Sequence, residues 1–226
     1  MLDQQQEILS KIKVVGFDLD GTLYKITPEI QSRVRNLIYK KISKEFNIPY
    51  GRARNLFEEI YSETHSGSQT IKRLEQQFVK TVEIDIIQDS LQEADILDLI
   101  PEDSKLVDLL NQLKEKYHLD VLTSGEGNLA LEKLKRIGVD KDVFQYILTR
   151  EDGLKNNGSL FQRWMQRRPD ISQRDILYVG DNQKQDIDIP KQLGIKTCFI
   201  GEYSKADFQI KDILNLEKLL LNFPHI

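Results

Sequence analysis

Val14-Val15-Gly16-Phe17-Asp18-Leu19-Asp20-Gly21-Thr22-Leu23 joins a short apolar run to two carboxylates one residue apart. A run of this kind reads as a strand buried on both faces, as in a parallel sheet. Asp18 and Asp20 follow at its carboxyl end, the side on which open α/β sheets hold their ligands. Carboxylates are costly to dehydrate, so two beside a buried strand require a cation or a proton. Residues i and i+2 share a strand face, and Gly21 permits a sharp turn directly afterwards. Asp18 is therefore expected to be held rigidly, with Asp20 on the turn and its backbone carbonyl free. Magnesium favours such a mixture of carboxylate, carbonyl and water oxygens. The pattern points to metal-assisted chemistry on an anion, although a simple Asx turn would by itself account for Asp20-Gly21.

After Pro101 short apolar strands alternate with helices. Strands are expected over 119–123, 144–149, 175–180 and 196–200, following the first at 12–17. Helices are expected over 104–117, 128–137 and 159–168, with a short one reaching Leu193 and a closing one over 213–221. This alternation predicts right-handed βαβ units and a parallel sheet, so the fold class is α/β, Rossmann-like. Residues 27–97 read as helical instead. Ile30, Val34, Leu37, Ile38, Ile42 and Phe46 recur at helical spacing, and Thr27-Pro28 resembles an N-cap with proline in the first turn. Further helices are expected over 52–64, 70–82 and from Asp89. The chain thus leaves the sheet after its first strand for a helical insert of about 70 residues, long for one crossover.

Composition limits the partners. The 226 residues are 39% hydrophobic and 30% charged, with a formal net charge of −4. No basic stripe is present, so a nucleic-acid polymer is not expected as a partner. No run approaches the ~20 apolar residues of a membrane span, and the polar, Gln-rich stretch from Met1 to Lys11 does not resemble a signal peptide. Cys198 is the single cysteine and sits in an apolar strand, which suits a reducing cytoplasm and the role of buried filler.

Other strand ends carry polar groups too. The strand at 119–123 leads into Thr123-Ser124-Gly125, where hydroxyls and free amides suit phosphate oxygens, or simply cap the next helix. Lys155 follows in a loop, a point charge suited to phosphate. The strand at 175–180 ends in Gly180-Asp181-Asn182, with Asp186 and Asp188 beyond. Asp186 suits a helix start; Asp188 reads as a solvated first-turn residue. Carboxylates, hydroxyl, amides and ammonium at neighbouring strand ends suit different parts of one task.

These residues resemble the haloacid dehalogenase (HAD) superfamily of phosphohydrolases. Asp18-Leu19-Asp20-Gly21-Thr22 matches its DxDGT motif, Thr123 the second motif, Lys155 the third, and Gly180-Asp181 with Asp186 the fourth. The motifs occur in family order and the resemblance spans nearly the whole chain. Asn156 stands where many relatives have Pro, and Ser124 where Asn is frequent. The resemblance implies a catalytic core of residues 1–24 and 98–226 and a helical, C1-type cap over 25–97. It implies Asp18 as nucleophile, Asp20 as acid and base, and Thr123, Ser124 and Lys155 as phosphate-binding groups. Magnesium would be held by Asp18, Asp20 (through its carbonyl), Asp181 and Asp186. Related dehalogenases lack an acid at the position of Asp20 and need no metal.

The implied function is a cytoplasmic, magnesium-dependent phosphatase acting on a small phosphorylated metabolite, a nucleotide or sugar phosphate. A phosphomutase and a non-catalytic binding module on the same scaffold are the alternatives. Leu23-Tyr24 and Tyr61…Gly67…Ile71-Lys72-Arg73-Leu74 resemble the pyrimidine 5'-nucleotidase-like branch. Tyr61, His65, Lys72 and Arg73 are candidates for leaving-group contact, against the commoner role of cap surface. No G-x-G-x-x-G follows the first strand, which argues against a nicotinamide cofactor. Oligomeric state is left open.

Overall fold

The computed structural model describes residues 2–64, 66–202 and 204–222; His65 lies outside them. The chain forms two compact units, Met1–Lys25 with Ile100–Ile226, and Ile26–Leu99. The helices are α1 (Leu2–Leu9), α2 (Pro28–Glu45), α3 (Tyr50–Thr64), α4 (Gly67–Phe78), α5 (Ile86–Glu93), α6 (Ser104–Lys114), α7 (Gly127–Ile137), α8 (Ser159–Gln166) and α9 (Ile189–Gln192).

The first unit holds a parallel sheet of β1 (Val14–Phe17), β2 (His118–Leu122), β3 (Tyr146–Leu148), β4 (Ile176–Gly180), β5 (Lys196–Ile200) and β6 (Phe208–Ile210). Their spatial order is β3-β2-β1-β4-β5-β6. The chain starts at the centre, walks to one edge, then returns to the other side of β1. Val14 is flanked by His118 and Ile176. Winding therefore reverses between β1 and β4, and loops leaving their carboxyl ends diverge to open a crevice there. All four residues of β1 and all five of β4 are buried, as expected for strands covered on both faces.

Leu122, Leu148, Leu160, Phe161, Trp164, Ile176 and Tyr178 pack as one buried cluster with Val14. The Phe161 ring meets Tyr178 edge-on at 4.9 Å. Each such side chain contributes about 1.5–3 kcal/mol by leaving water. A charged knot lies within this unit. Asp120 on β2 is fully buried, and its carboxylate accepts from Arg168 Nε (2.9 Å) and Nη2 (2.8 Å), Trp164 Nε1 (2.6 Å) and the Tyr146 amide (2.9 Å). It ties β2 to β3 and to the end of α8. Cys198 is buried in β5, and burial pushes its thiol up to about 12.

The second unit is helical. Thr27 caps α2, its Oγ1 accepting from the Ile30 amide at 3.3 Å, with proline in the first turn. Ile30, Val34, Ile38, Tyr39 and Ile42 form the buried stripe. Helix α4 starts earlier than the periodicity predicts because Ser66 caps it through the Gln69 amide. It stops at Phe78 because Val79 takes a left-handed conformation, φ 48°, costly for a β-branched residue. Asp85 likewise caps α5 ahead of Asp89.

Several features of the first unit differ from expectation, including α1, a helix formed within the Gln-rich stretch at Leu2–Leu9. β6 is unanticipated: only Phe208 and Ile210 are buried around exposed Gln209, too short a run for alternation to register. The closing segment is not one α-helix. The Asp212 side chain accepts from the Leu214 amide and Asn215 from the Asp212 amide, a local competition that tightens the backbone into a 3-10 turn. A wider π-type turn follows over Glu217–Leu221. Among the described residues, no helix is long and apolar enough to cross a membrane.

Candidate active site

β1 ends at Phe17, and the Asp18 amide still donates to Val179 on β4 at 2.9 Å. Asp18 is thus clamped in sheet geometry. The chain then turns: the Thr22 and Leu23 amides both reach back to the Leu19 carbonyl. Gly21 makes this possible with φ 86°, and a Cβ there would come within 2.2 Å of Asp181 Oδ2. The first carboxylate turn and the end of β4 are therefore packed together.

A second close approach shapes the β4 side. A Cβ on Gly180 would meet the Asp186 side chain at 2.5 Å. Asp186 folds back over its own strand end, its Oδ2 accepting from the Asn182 amide at 2.9 Å. Asn182 in turn accepts from the Lys184 and Gln185 amides. The resulting π-type turn over Gln183–Asp188 runs into α9, which accommodates Pro190 in its first turn. Asp188 accepts from Gln183 Nε2 within this turn.

Asp18, Asp181 and Asp186 each offer an oxygen, and these atoms lie within 4.8 Å of one another. Lys155 enters among them from a 3-10 turn before α8. It is 2% exposed, and its Nζ donates to Asp18 Oδ1 and, at 2.8 Å, to Asp186 Oδ1. The Thr22 hydroxyl lies 3.4 Å from Asp18 Oδ2. Three carboxylates and one ammonium leave an excess of two negative charges when all are ionised. Burial, with the like charges of Asp186, Asp181 and Asp20, pushes Asp18 well above the ordinary carboxylate range against the pull of Lys155. Loss of hydration and the charge of Asp186 push Asp181 up to about 7, although its side chain reaches solvent. Burial disfavours the Lys155 ammonium, but Asp18 and Asp186 outweigh it and hold its proton tightly. An all-oxygen donor set with two uncompensated charges fits a hard divalent cation.

Asp20 points to different partners. Its Oδ1 accepts from the Tyr24 hydroxyl and from Lys133 Nζ at 2.5 Å. Burial and the Asp20 charge push the Tyr24 phenol far up, so it remains a donor. Thr123 stands just past β2, beside β1. It is buried, and its Oγ1 accepts from the Gly125 amide at 3.0 Å. Ser124 donates to Gln185 at 3.3 Å, joining the ends of β2 and β4.

Residues 15–200 match the family model described as haloacid dehalogenase-like hydrolase. The chain belongs to that family. It is 26% identical over 225 residues to a glyceraldehyde 3-phosphate phosphatase of Methanocaldococcus jannaschii, covering 93% of this chain and 98% of the relative. A Pyrococcus furiosus protein of the same name is 25% identical over 214 residues, covering 90% and 88%. In fold, the chain is like the HAD phosphatase from Thermococcus onnurineus, with a TM-score of 0.61 and 23% identity, over 92% of this chain and 98% of the other.

Among the expected site residues of this HAD-like hydrolase, Asp18, Lys155, Asp181 and Asp186 come together directly, and Asp20 lies on the turn between Asp18 and Gly21. Thr123 and Ser124 lie at the same edge of the sheet. Of the leaving-group candidates, Arg73 pairs with Glu63 at 2.5 Å, and Tyr61 stacks on Phe57 at 5.6 Å beneath the Arg35 guanidinium. Sequence reasoning missed Lys133. Its signal was available: α7 buries Ala130, Lys133, Leu134 and Ile137, so a lysine occupies one position of an otherwise apolar stripe.

Proposed function

We propose that this protein is a magnesium-dependent phosphatase hydrolysing a small phosphomonoester through an aspartyl-phosphate on Asp18. The observation that carries this reading is the Lys155 ammonium held between Asp18 and Asp186, with Asp181 alongside. Bound magnesium would supply the positive charge that lets an anionic phosphoryl group approach a carboxylate. Asp18, Asp181 and the Asp20 carbonyl would hold it. Asp186 would orient the set, since both of its oxygens already accept from Lys155 and Asn182.

Asp18 attacks phosphorus, and the bond to the leaving oxygen breaks as Asp20 delivers a proton to it. Asp20 then takes a proton from water, whose oxygen attacks the acyl phosphate and releases inorganic phosphate, freeing Asp18. Lys155 and Thr123, with the amides beyond it, hold the phosphoryl oxygens as charge builds on them. Residues 1–24 and 98–226 form the catalytic core in this reading, and residues 25–97 the helical cap. A cytoplasmic setting is consistent with the lone buried Cys198.

The relatives named as glyceraldehyde 3-phosphate phosphatases make a triose phosphate the first substrate to try, with nucleoside monophosphates second. The test is phosphate release from both classes, with magnesium and with chelator. Asp18→Asn abolishes release from every substrate. Release at the wild-type rate by that variant, or unchanged turnover in chelator, would overturn the reading.

A further inference from the structure

Lys133 is 2% exposed, yet it is part of neither the carboxylate cluster nor any family motif quoted above. Burying an ammonium in an apolar stripe is costly unless a partner compensates. Its partner is Asp20, whose own side chain is 26% exposed. The Tyr24 hydroxyl converges on the same atom, Oδ1. Among the described residues, no hydrogen bond is made to Asp20 Oδ2. Two donors from different elements, α7 and the segment leaving the first turn, thus pin one oxygen and leave the other available. Asp120 and Arg168 form a comparable buried pair, but there both oxygens are consumed by several donors, as befits a purely structural knot.

We propose that Lys133, together with Tyr24, is a positioning residue that fixes the Asp20 carboxyl group by its Oδ1 and presents Oδ2 to the leaving oxygen and then to water. This rests on the phosphatase reading above. Neither residue touches the phosphoryl group. A carboxyl group free to rotate about its χ angles would spend most of its time misaligned, and alignment is a large part of what general acid catalysis supplies.

The test is kcat/KM for a series of substituted phenyl phosphates, from p-nitrophenyl to p-methoxyphenyl, with wild-type protein, Lys133→Met and Asp20→Asn. This ratio reports the steps through transfer to Asp18. A good leaving group needs little proton assistance; a poor one depends on it. Lys133→Met is expected to lose on the order of 10²-fold on the poorest leaving group and several-fold at most on p-nitrophenyl phosphate, giving a steeper dependence on leaving-group basicity. Damage to folding alone would lower the whole series by one factor. A uniform loss, or none, overturns the proposal provided Asp20→Asn itself shows the steep dependence. If Asp20→Asn shows a flat response, the acid role of Asp20 fails and the proposal falls with it. Should Lys133→Met not fold, Tyr24→Phe removes the other donor to Oδ1 and carries the same expectation of a steeper series; a parallel one refutes it.

Discussion

Replacing Lys155 with Met keeps the apolar stem and removes the ammonium shared by Asp18 and Asp186. The three carboxylates, within 4.8 Å of one another, then have no cation from this residue among them. Breaking a buried ion pair by deleting one partner costs about 3–5 kcal/mol. That is a large share of the ~5–15 kcal/mol by which domains are stable. At about 2–4 °C per kcal/mol for a chain of this length, Tm falls by about 6–20 °C. The loss is smaller in acid, because Asp18 is already poised toward protonation and a neutral carboxyl group relieves the crowding. If magnesium binds as proposed, it restores part of the loss, about 2.7 kcal/mol at a hundredfold excess over Kd. If Lys155 holds the phosphoryl oxygens as proposed, turnover falls as well, by about 10²–10³ in kcat, the usual cost of losing one donor to the transition-state oxygens. Thermal unfolding with and without magnesium, and phosphate release under the same conditions, measure both effects. A Lys155→Met protein with a Tm within about 2 °C of wild type and turnover within about threefold would refute the view of Lys155 as the charge that binds the site together.

Two further outcomes are expected. In chelator-treated protein, Asp181 is raised from 3.8 to about 7 in the fold; between those values the folded state binds more protons than the unfolded one, so stability falls as pH rises through that window. Magnesium should flatten this slope, and a Tm that climbs over the same window in chelator would contradict the charge balance described. Asp120→Ala leaves Arg168 and Trp164 without their shared acceptor and should cost about 3–5 kcal/mol in urea unfolding. Pairing Asp120→Leu with Arg168→Met should recover much of that loss, and additive losses in the double variant would argue against coupling.

Much of this architecture was legible because its signals are local and repeated. The apolar run at Val14, the helical spacing of Ile30, Val34, Ile38 and Ile42, and Thr27-Pro28 each state a backbone preference that packing then reinforces. Leu37 belongs to the same pattern but is only half-buried, since periodicity identifies a face and not the depth of each residue. Cap positions shifted boundaries: Ser66 begins α4 before its apolar stripe, and Asp85 begins α5 at buried Ile86, ahead of Asp89. The acidic turn residues were legible from their places at strand ends. Lys155 was legible as a member of the same site through its motif, although it meets Asp18 across 137 positions of sequence; Lys133, which meets Asp20 across 113, was not. Pairings of that range depend on which strands are neighbours, and strand order is not written in any one segment. The Asp120 knot shows the same limit: an acid within an apolar strand signals a hidden cation, but nothing near it names Arg168.

The central place of β1 has a consequence for synthesis. One of its edges is satisfied only when His118 and its neighbours exist, and the other only when Ile176 and beyond have emerged from the ribosome. Throughout that interval an apolar segment with unmated backbone groups is available to wrong partners. A nascent chain stalled before residue 176 would therefore be a client for chaperones rather than a slow enzyme, and competence would arrive in a single step as the fourth strand docks.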